Sequence, residues 1–292
     1  MFSGLARSRA LAAALRPVAS GVYVREGLDE EVDAANDNAI ANLSLLVGER
    51  HAAVIDPGGS LADGLAFKAA IRRITPLPLR YVVITHAHPD HLFGAQAFVE
   101  DGVDFVAHAA FPDALAQRGD YYQRNLSQLL HQAPGQLIAP QHLVREREVL
   151  DLGHRPMVLC AHAPAHSSCD LSVFDVRTKT LLAGDLLFVR RVPSLDGSLK
   201  GWLGALGELQ AMKATRAVPG HGPACVAWPA GASDLERYLR VLQSDTRRAV
   251  AQGVEIDAAP KTVGQSERGR WALFDAYHGH NVTRAYKEIE WE

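Results

Sequence analysis

Thr85-His86-Ala87-His88-Pro89-Asp90-His91 sets three imidazoles and a carboxylate within six consecutive residues. Neutral imidazoles and carboxylates are the ligands that borderline divalent metals such as zinc take. His86 and His88 stand two apart, so an extended backbone aims both rings to one side. Pro89 stiffens the turn that follows, and Asp90 and His91 then address a second, adjacent position. Three further residues fit the same chemistry: His166 in Ala163-Pro164-Ala165-His166-Ser167, Asp185 in the Gly184-Asp185 pair, and His221 in Gly220-His221-Gly222. Singly, each reads as well as a turn residue. Three of them in order, each expected at a strand end, are hard to explain except as ligands.

The elements that must carry these residues are legible in the hydrophobic pattern. Short β-rich runs at 21–24, 43–47 and 52–55 predict strands, the last ending at Asp56-Pro57-Gly58-Gly59. Ser60 is placed to cap a helix running to about Arg73, and Pro76 and Pro78 close it. Tyr81-Val82-Val83-Ile84 predicts a buried strand that feeds the histidine motif, followed by a helix from Asp90 to about Glu100. A strand at 104–107, a helix over 110–132 and strands at 148–150, 156–159, 170–174 and 180–183 come next. A helix over 201–213 and a short strand at 216–218 complete the core, and from about Ala232 the chain reads as helical and more charged. Mixed strands and helices predict an α/β domain over 21–230, with a helical C-terminal extension, 231–292, packed on it.

Residues 1–20 contain Arg7 and Arg9 ahead of a short Leu/Ala stretch, followed by the small residues Ala19, Ser20 and Gly21. This reads either as an export signal or as a leader on a cytosolic chain. The 292 residues carry Lys+Arg 30 against Asp+Glu 33, a formal net charge of −3. That balance offers no bulk attraction to nucleic acid or anionic membrane, and no apolar run approaches the ~20 residues of a spanning helix. The expected partner is therefore a small-molecule substrate. Three cysteines do not make a disulfide framework.

In these motifs the chain resembles the metallo-β-lactamase superfamily over roughly 22–223, matching its His-x-His-x-Asp-His pattern with a later His, Asp and His. The resemblance implies an αββα sandwich with metals at one edge of the two sheets. It implies that His86, His88 and His166 hold one metal, that Asp90, His91 and His221 hold a second, and that Asp185 bridges them. Finer phrases resemble the quinoprotein relay system zinc metallohydrolases: 88–95, Arg118-Gly119-Asp120-Tyr121-Tyr122, 184–188, Asp196-Gly197-Ser198 with Gly201-Trp202, and Phe274-Asp275-Ala276-Tyr277-His278-Gly279. That group's usual association favours the periplasm.

The resemblance implies a dinuclear hydrolase with two Zn²⁺ per chain, iron and manganese being admitted by the same ligands. A hydroxide held between the metals attacks a small ester, thioester, lactone or related acyl substrate, oriented by Asp90. His88 replaces the glutamate of oxygen-reducing diiron relatives, and Asp185 is a residue that true β-lactamases lack. No G-x-S-x-G nucleophile elbow is present. A mononuclear iron persulfide dioxygenase and a metal-binding accessory protein of a quinoprotein pathway are the competing readings. Arg190 and Arg191 follow Asp185 closely enough to meet an anionic substrate. Tyr121, Tyr122 and Trp202 are core residues by default, as are Cys160 and Cys169. His51, His108, His131, His142, His154, His162, His278 and His280 lack a motif and read as structural or exposed, and Trp271, Phe274 and Tyr277 read as anchors of the tail.

Overall fold

The computed structural model describes residues 14–292. Most of the segment 1–20 lies outside them; Leu15–Ala19, at its end, forms β1. Strands β2 (Val22–Arg25), β3 (Leu43–Val47) and β4 (Ala52–Ile55) pair antiparallel in sequence from β1. Strands β5 (Leu79–Val83), β6 (Asp104–His108) and β7 (His142–Val144) extend the sheet in parallel, giving seven strands in the order β1 to β7. The second sheet has six: β8 (Arg147–Asp151), β9 (Pro156–Ala161), β10 (Leu171–Asp175), β11 (Thr180–Phe188), β12 (Arg216–His221) and β13 (Val226–Ala227), ordered from β13 to β8. Within it β11 and β12 run parallel.

Period-two alternation sorts the apolar side chains into layers. Leu46, Ala53, Val83 and Val106 of the first sheet meet Met157, Leu159, Val173, Leu182 and Val218 of the second in a central core. Their neighbours Leu43, Leu45, Val54 and Val82 face outward. They pack on α1 (Leu61–Ile74), on the 3₁₀ turn Phe93–Phe98 and on α3 (Phe111–Leu130), through Phe67, Phe93, Phe98 and Leu126. On the far side Leu181, Ala183 and Ala217 pack against α4 (Leu199–Gln210), α5 (Ser233–Ala251) and α6 (Phe274–Ile289), around Trp202, Leu239 and Val282. Helix, sheet, sheet, helix: the αββα sandwich expected from the sequence is the fold. Its helical C-terminal region is present, and among the described residues no helix is long and apolar enough to cross a membrane.

Most predicted elements are present, with three differences. The helix expected over 90–100 is a single turn, α2 (Pro89–Leu92), followed by the 3₁₀ turn, because the Gly94 amide donates to Gly58 O at 2.8 Å and draws that segment onto the loop that precedes α1. Strand β11 does not end at Asp185 but runs on to Phe188, shifting register against β12 on both sides of Gly184. Gly119 is buried within α3, where a side chain would crowd Leu137. Strands β1, β7 and β13 were not expected: they are short edge pieces held by pairing rather than by their own pattern.

Candidate metal centre

The sandwich brings its parallel-strand ends together at one edge. Asp56 follows β4, the 85–91 loop follows β5, and His221 ends β12, so three C-terminal strand ends open on one cleft, as ligand sites do in open α/β sheets. His166 reaches it from the β9–β10 connection, and Asp185 from within β11. Two glycines make room for that carboxylate. Gly184 sits at φ +53°, where an added Cβ would lie 2.8 Å from Thr85 Cβ; at Gly220 it would lie 1.9 Å from Asp185 Oδ1.

All seven sequence-predicted residues converge, as two groups that could hold metal ions: His86, His88, His166 and Asp185, and Asp90, His91 and His221. Asp185 lies between the groups. Its Oδ2 is 3.4 Å from Nε2 of both His166 and His221, and its Oδ1 is 3.1 Å from His91 Nε2. Asp90 Oδ2 is 3.1 Å from His221 Nε2 and 3.6 Å from His91 Nε2. Nδ1 of His88 and Nε2 of His166 stand 2.9 Å apart. All of these side chains except His88 and Asp90 are buried.

The outer nitrogen of every imidazole has a partner, which fixes the ring and leaves its other nitrogen facing the cleft. His91 Nδ1 donates to Asp56 Oδ2 at 2.8 Å, and His86 Nδ1 pairs with Thr85 Oγ1 at 3.0 Å. Thr85 donates through both its amide and its hydroxyl to Asp56. His88 Nε2 donates to Asp196 Oδ2 at 2.9 Å, His166 Nδ1 to Ser194 O at 2.7 Å, and His221 Nδ1 to Ile40 O at 3.0 Å. Inside, the atoms that would face a cation are bare: His86 Nε2, His91 Nε2 and Asp185 Oδ1 are buried without a hydrogen-bond partner. Buried polar atoms are nearly always satisfied, so three unpartnered ones meeting at this point fit a bound cation.

The electrostatics agree. Burial, reinforced by the field of His91, holds His86 well below the usual imidazole range, and burial likewise lowers His166, so both rings present free lone pairs. Burial alone would raise Asp185 and Asp90, but the imidazoles around them outweigh it and hold both ionised. Burial likewise opposes a proton on His91, yet Asp185, Asp56 and Asp90 push that ring well above its ordinary range. Carboxylates held ionised among these imidazoles make the cluster a favourable place for a cation.

A cavity of about 360 Å³ opens beside the cluster. Val32, Ile40, Leu126, Leu129 and Phe188 give it an apolar wall; Arg191 and Tyr277 stand at it with Asp90 and His221. The two arginines divide. Arg190 makes surface ion pairs with Glu26 and Asp29, while buried Arg191 donates to Tyr277 Oη at 2.9 Å and lies over that ring. Tyr122 also lines the cavity, Tyr121 is exposed, and Trp202 is buried against His166 with ring centroids 5.2 Å apart. Asp56 and His280 were missed by sequence reasoning. His280, which read as motif-less, bonds Asp196 and lines the cavity. The only signal for Asp56 was its place at a strand end before Pro-Gly-Gly.

A family model described as the metallo-beta-lactamase superfamily matches residues 37–221. Among curated proteins the chain is 24% identical over 195 residues to the uncharacterized protein YobT of Bacillus subtilis (strain 168), covering 63% of this chain and 80% of that one. It is 24% identical over 237 residues to a linear primary-alkylsulfatase of Pseudomonas sp. (strain ATCC 19151), covering 68% of this chain but only 43% of the sulfatase. Among solved structures a metallo-beta-lactamase from Pontibacter korlensis superimposes with a TM-score of 0.64 at 19% identity, covering 78% of this chain and 98% of that one. The stereoselective inverting sec-alkylsulfatase Pisa1 from Pseudomonas sp. superimposes with a TM-score of 0.72 at 18% identity, over 97% of this chain and 51% of the sulfatase. The fold, the converging His/Asp cluster and the matched family model agree: this chain belongs to the metallo-β-lactamase superfamily of hydrolases.

Proposed function

We propose that the chain hydrolyses a small ester, thioester, lactone or related acyl substrate with two divalent cations, zinc foremost. His86, His88 and His166 would hold one cation and Asp90, His91 and His221 the other, with Asp185 contributing to both. The observation that carries this reading is the set of buried, partnerless inner atoms of His86, His91 and Asp185, ringed by imidazoles whose outer nitrogens are all engaged. Bound there, divalent cations supply Lewis acidity and make water acidic enough to act as a nucleophile near neutral pH.

The chain's own residues do the rest. Asp90 stands at both the cluster and the cavity, where its carboxylate would orient the attacking water by accepting a hydrogen bond from it. The outer partners of the imidazoles keep the cluster preorganised, so little rearrangement accompanies the reaction. Arg191, braced by Tyr277, offers a buried guanidinium to an anionic group on the substrate, and the apolar wall keeps water from the remainder. A sulfate monoester with an alkyl part is the second reading. It is favoured by the likeness to an alkylsulfatase over nearly the whole chain, tail included, and by the juxtaposition of Arg191 with that apolar wall.

The test is a panel of an ester, a thioester, a lactone and an alkyl sulfate, assayed after chelation and after return of zinc. The reading expects turnover of at least one member that is lost on chelation and restored by metal. No turnover by zinc-loaded protein, or oxygen uptake with a persulfide by a one-iron form, would overturn it.

A further inference from the structure

Helix α6 lies beyond the residues matched by the family model, yet one face of it is devoted to a single loop, 193–200. Asn281 accepts from the Leu195 amide at 2.9 Å and donates to Pro193 O at 2.6 Å. Arg284 donates to the carbonyls of Asp196 and Gly197. Glu288 accepts from the Leu199 amide at 2.7 Å, the Lys200 amide at 3.1 Å and the Ser198 hydroxyl at 2.9 Å. Positions 281, 284 and 288 follow the i, i+3, i+7 spacing of one helix face. His280, one residue aside, reaches the Asp196 carboxylate at 3.1 Å, which α3 also meets through Arg118 at 3.2 Å. Asn281 is fully buried.

That loop in turn supplies the outer partners of two imidazoles in one group and none in the other. His88 Nε2 donates to Asp196 Oδ2, which fixes the tautomer with Nδ1 turned toward His166. His166 Nδ1 donates to Ser194 O, and the His166 carbonyl accepts from the amides of Asp196 and Gly197. His91 and His221 instead lean on Asp56, just after β4, and on Ile40, in the turn before β3.

We propose that Asp196 is a positioning residue for His88, and that α6 is the jig which sets loop 193–200, so that the C-terminal region governs metal affinity at the His86/His88/His166 position and not at the Asp90/His91/His221 position. This rests on the reading of a two-cation site. Loss of such an outer partner weakens metal binding ~10–100-fold.

The experiment titrates zinc into the metal-free full chain against a chromophoric chelator, and records the visible absorption of the cobalt-substituted form. Asp196→Ala should weaken one equivalent 10–100-fold and alter one of the two cobalt signatures, leaving the other equivalent at its wild-type affinity. Asp196→Asn, which keeps an acceptor for His88, should recover part of the loss. Glu288→Gln, which touches no ligand, should shift the same equivalent as Asp196→Ala by a smaller factor. Asp56→Asn, which removes the carboxylate that serves His91 directly and His86 through Thr85, should instead weaken both equivalents, the contrast against which a selective loss is read. Thermal unfolding of each metal-free variant separates this from misfolding, since Asp196→Ala should leave the metal-free melting curve within a few degrees. Wild-type affinity for both equivalents in Asp196→Ala, or equal weakening of both, overturns the proposal while leaving the two-cation reading intact. A wild-type chain that takes up no zinc overturns both.

Discussion

Gly220→Ala tests whether the Asp185 carboxylate is held where the cluster needs it. The substituted Cβ would fall 1.9 Å from Asp185 Oδ1, with Gly184 C at 2.8 Å and Asp185 N at 2.9 Å. Ordinary non-bonded contact begins near ~3.5 Å, so the methyl is about 1.5 Å too close to the carboxylate. The backbone atoms beside it block the opposite escape. The carboxylate must therefore swing away from four imidazole nitrogens now 3.1–3.7 Å from it. Because Gly220 does not occupy the left-handed region, the effect is steric alone. Overpacking of this kind costs about 1–3 kcal/mol, which lowers the melting temperature of the metal-free protein by several degrees. The metal-loaded protein should lose more than that, since the displaced carboxylate would contribute to both proposed cation positions. The assay is paired thermal unfolding, with and without zinc, alongside zinc titration. A variant that gains as much stability from zinc as the wild type would refute the placement of Asp185 as the shared ligand.

Two further outcomes are expected. Arg191→Gln removes a buried charge that donates to Tyr277 rather than to a carboxylate, so KM for an anionic substrate should rise ~10–100-fold while kcat changes little; equal loss on neutral and anionic substrates would count against an anion anchor. Cys169 is buried, and burial together with the nearby Asp170 pushes its thiol up to about 11. Because only the thiolate reacts, alkylation of the native protein at pH 8 should be far slower at this cysteine than after unfolding, and should accelerate as pH approaches 11. Rapid labelling at pH 8 would contradict its burial.

What could be read from the sequence was whatever is written locally. His86, His88, Asp90 and His91 lie on one loop, and His166, Asp185 and His221 each sit in a small-residue context near a strand, so residue type and neighbours sufficed. The apolar runs at 43–47, 81–84 and 180–183 likewise marked strands, and only the folded chain shows their alternate side chains dividing between the central core and the two outer ones. What could not be read depends on partners far apart in the chain. Asp56 serves His91 at a separation of 35 residues, Asp196 serves His88 at 108, and His280 meets Asp196 at 84; a lone carboxylate or imidazole carries no mark of such a partner. The run of β11 past Asp185 was hidden for a related reason. Gly184 reads as a stop, yet in the folded chain pairing with β12 resumes beyond it, at Phe188.

The claim on which the account depends is that the cluster exists to hold two cations. Elemental analysis of the protein as purified, compared with Asp185→Asn prepared identically, tests it most directly. The account predicts two equivalents of zinc per wild-type chain and a clear loss of bound metal in the variant. A wild-type chain with a single iron, or with no stoichiometric metal after exposure to zinc, would contradict it.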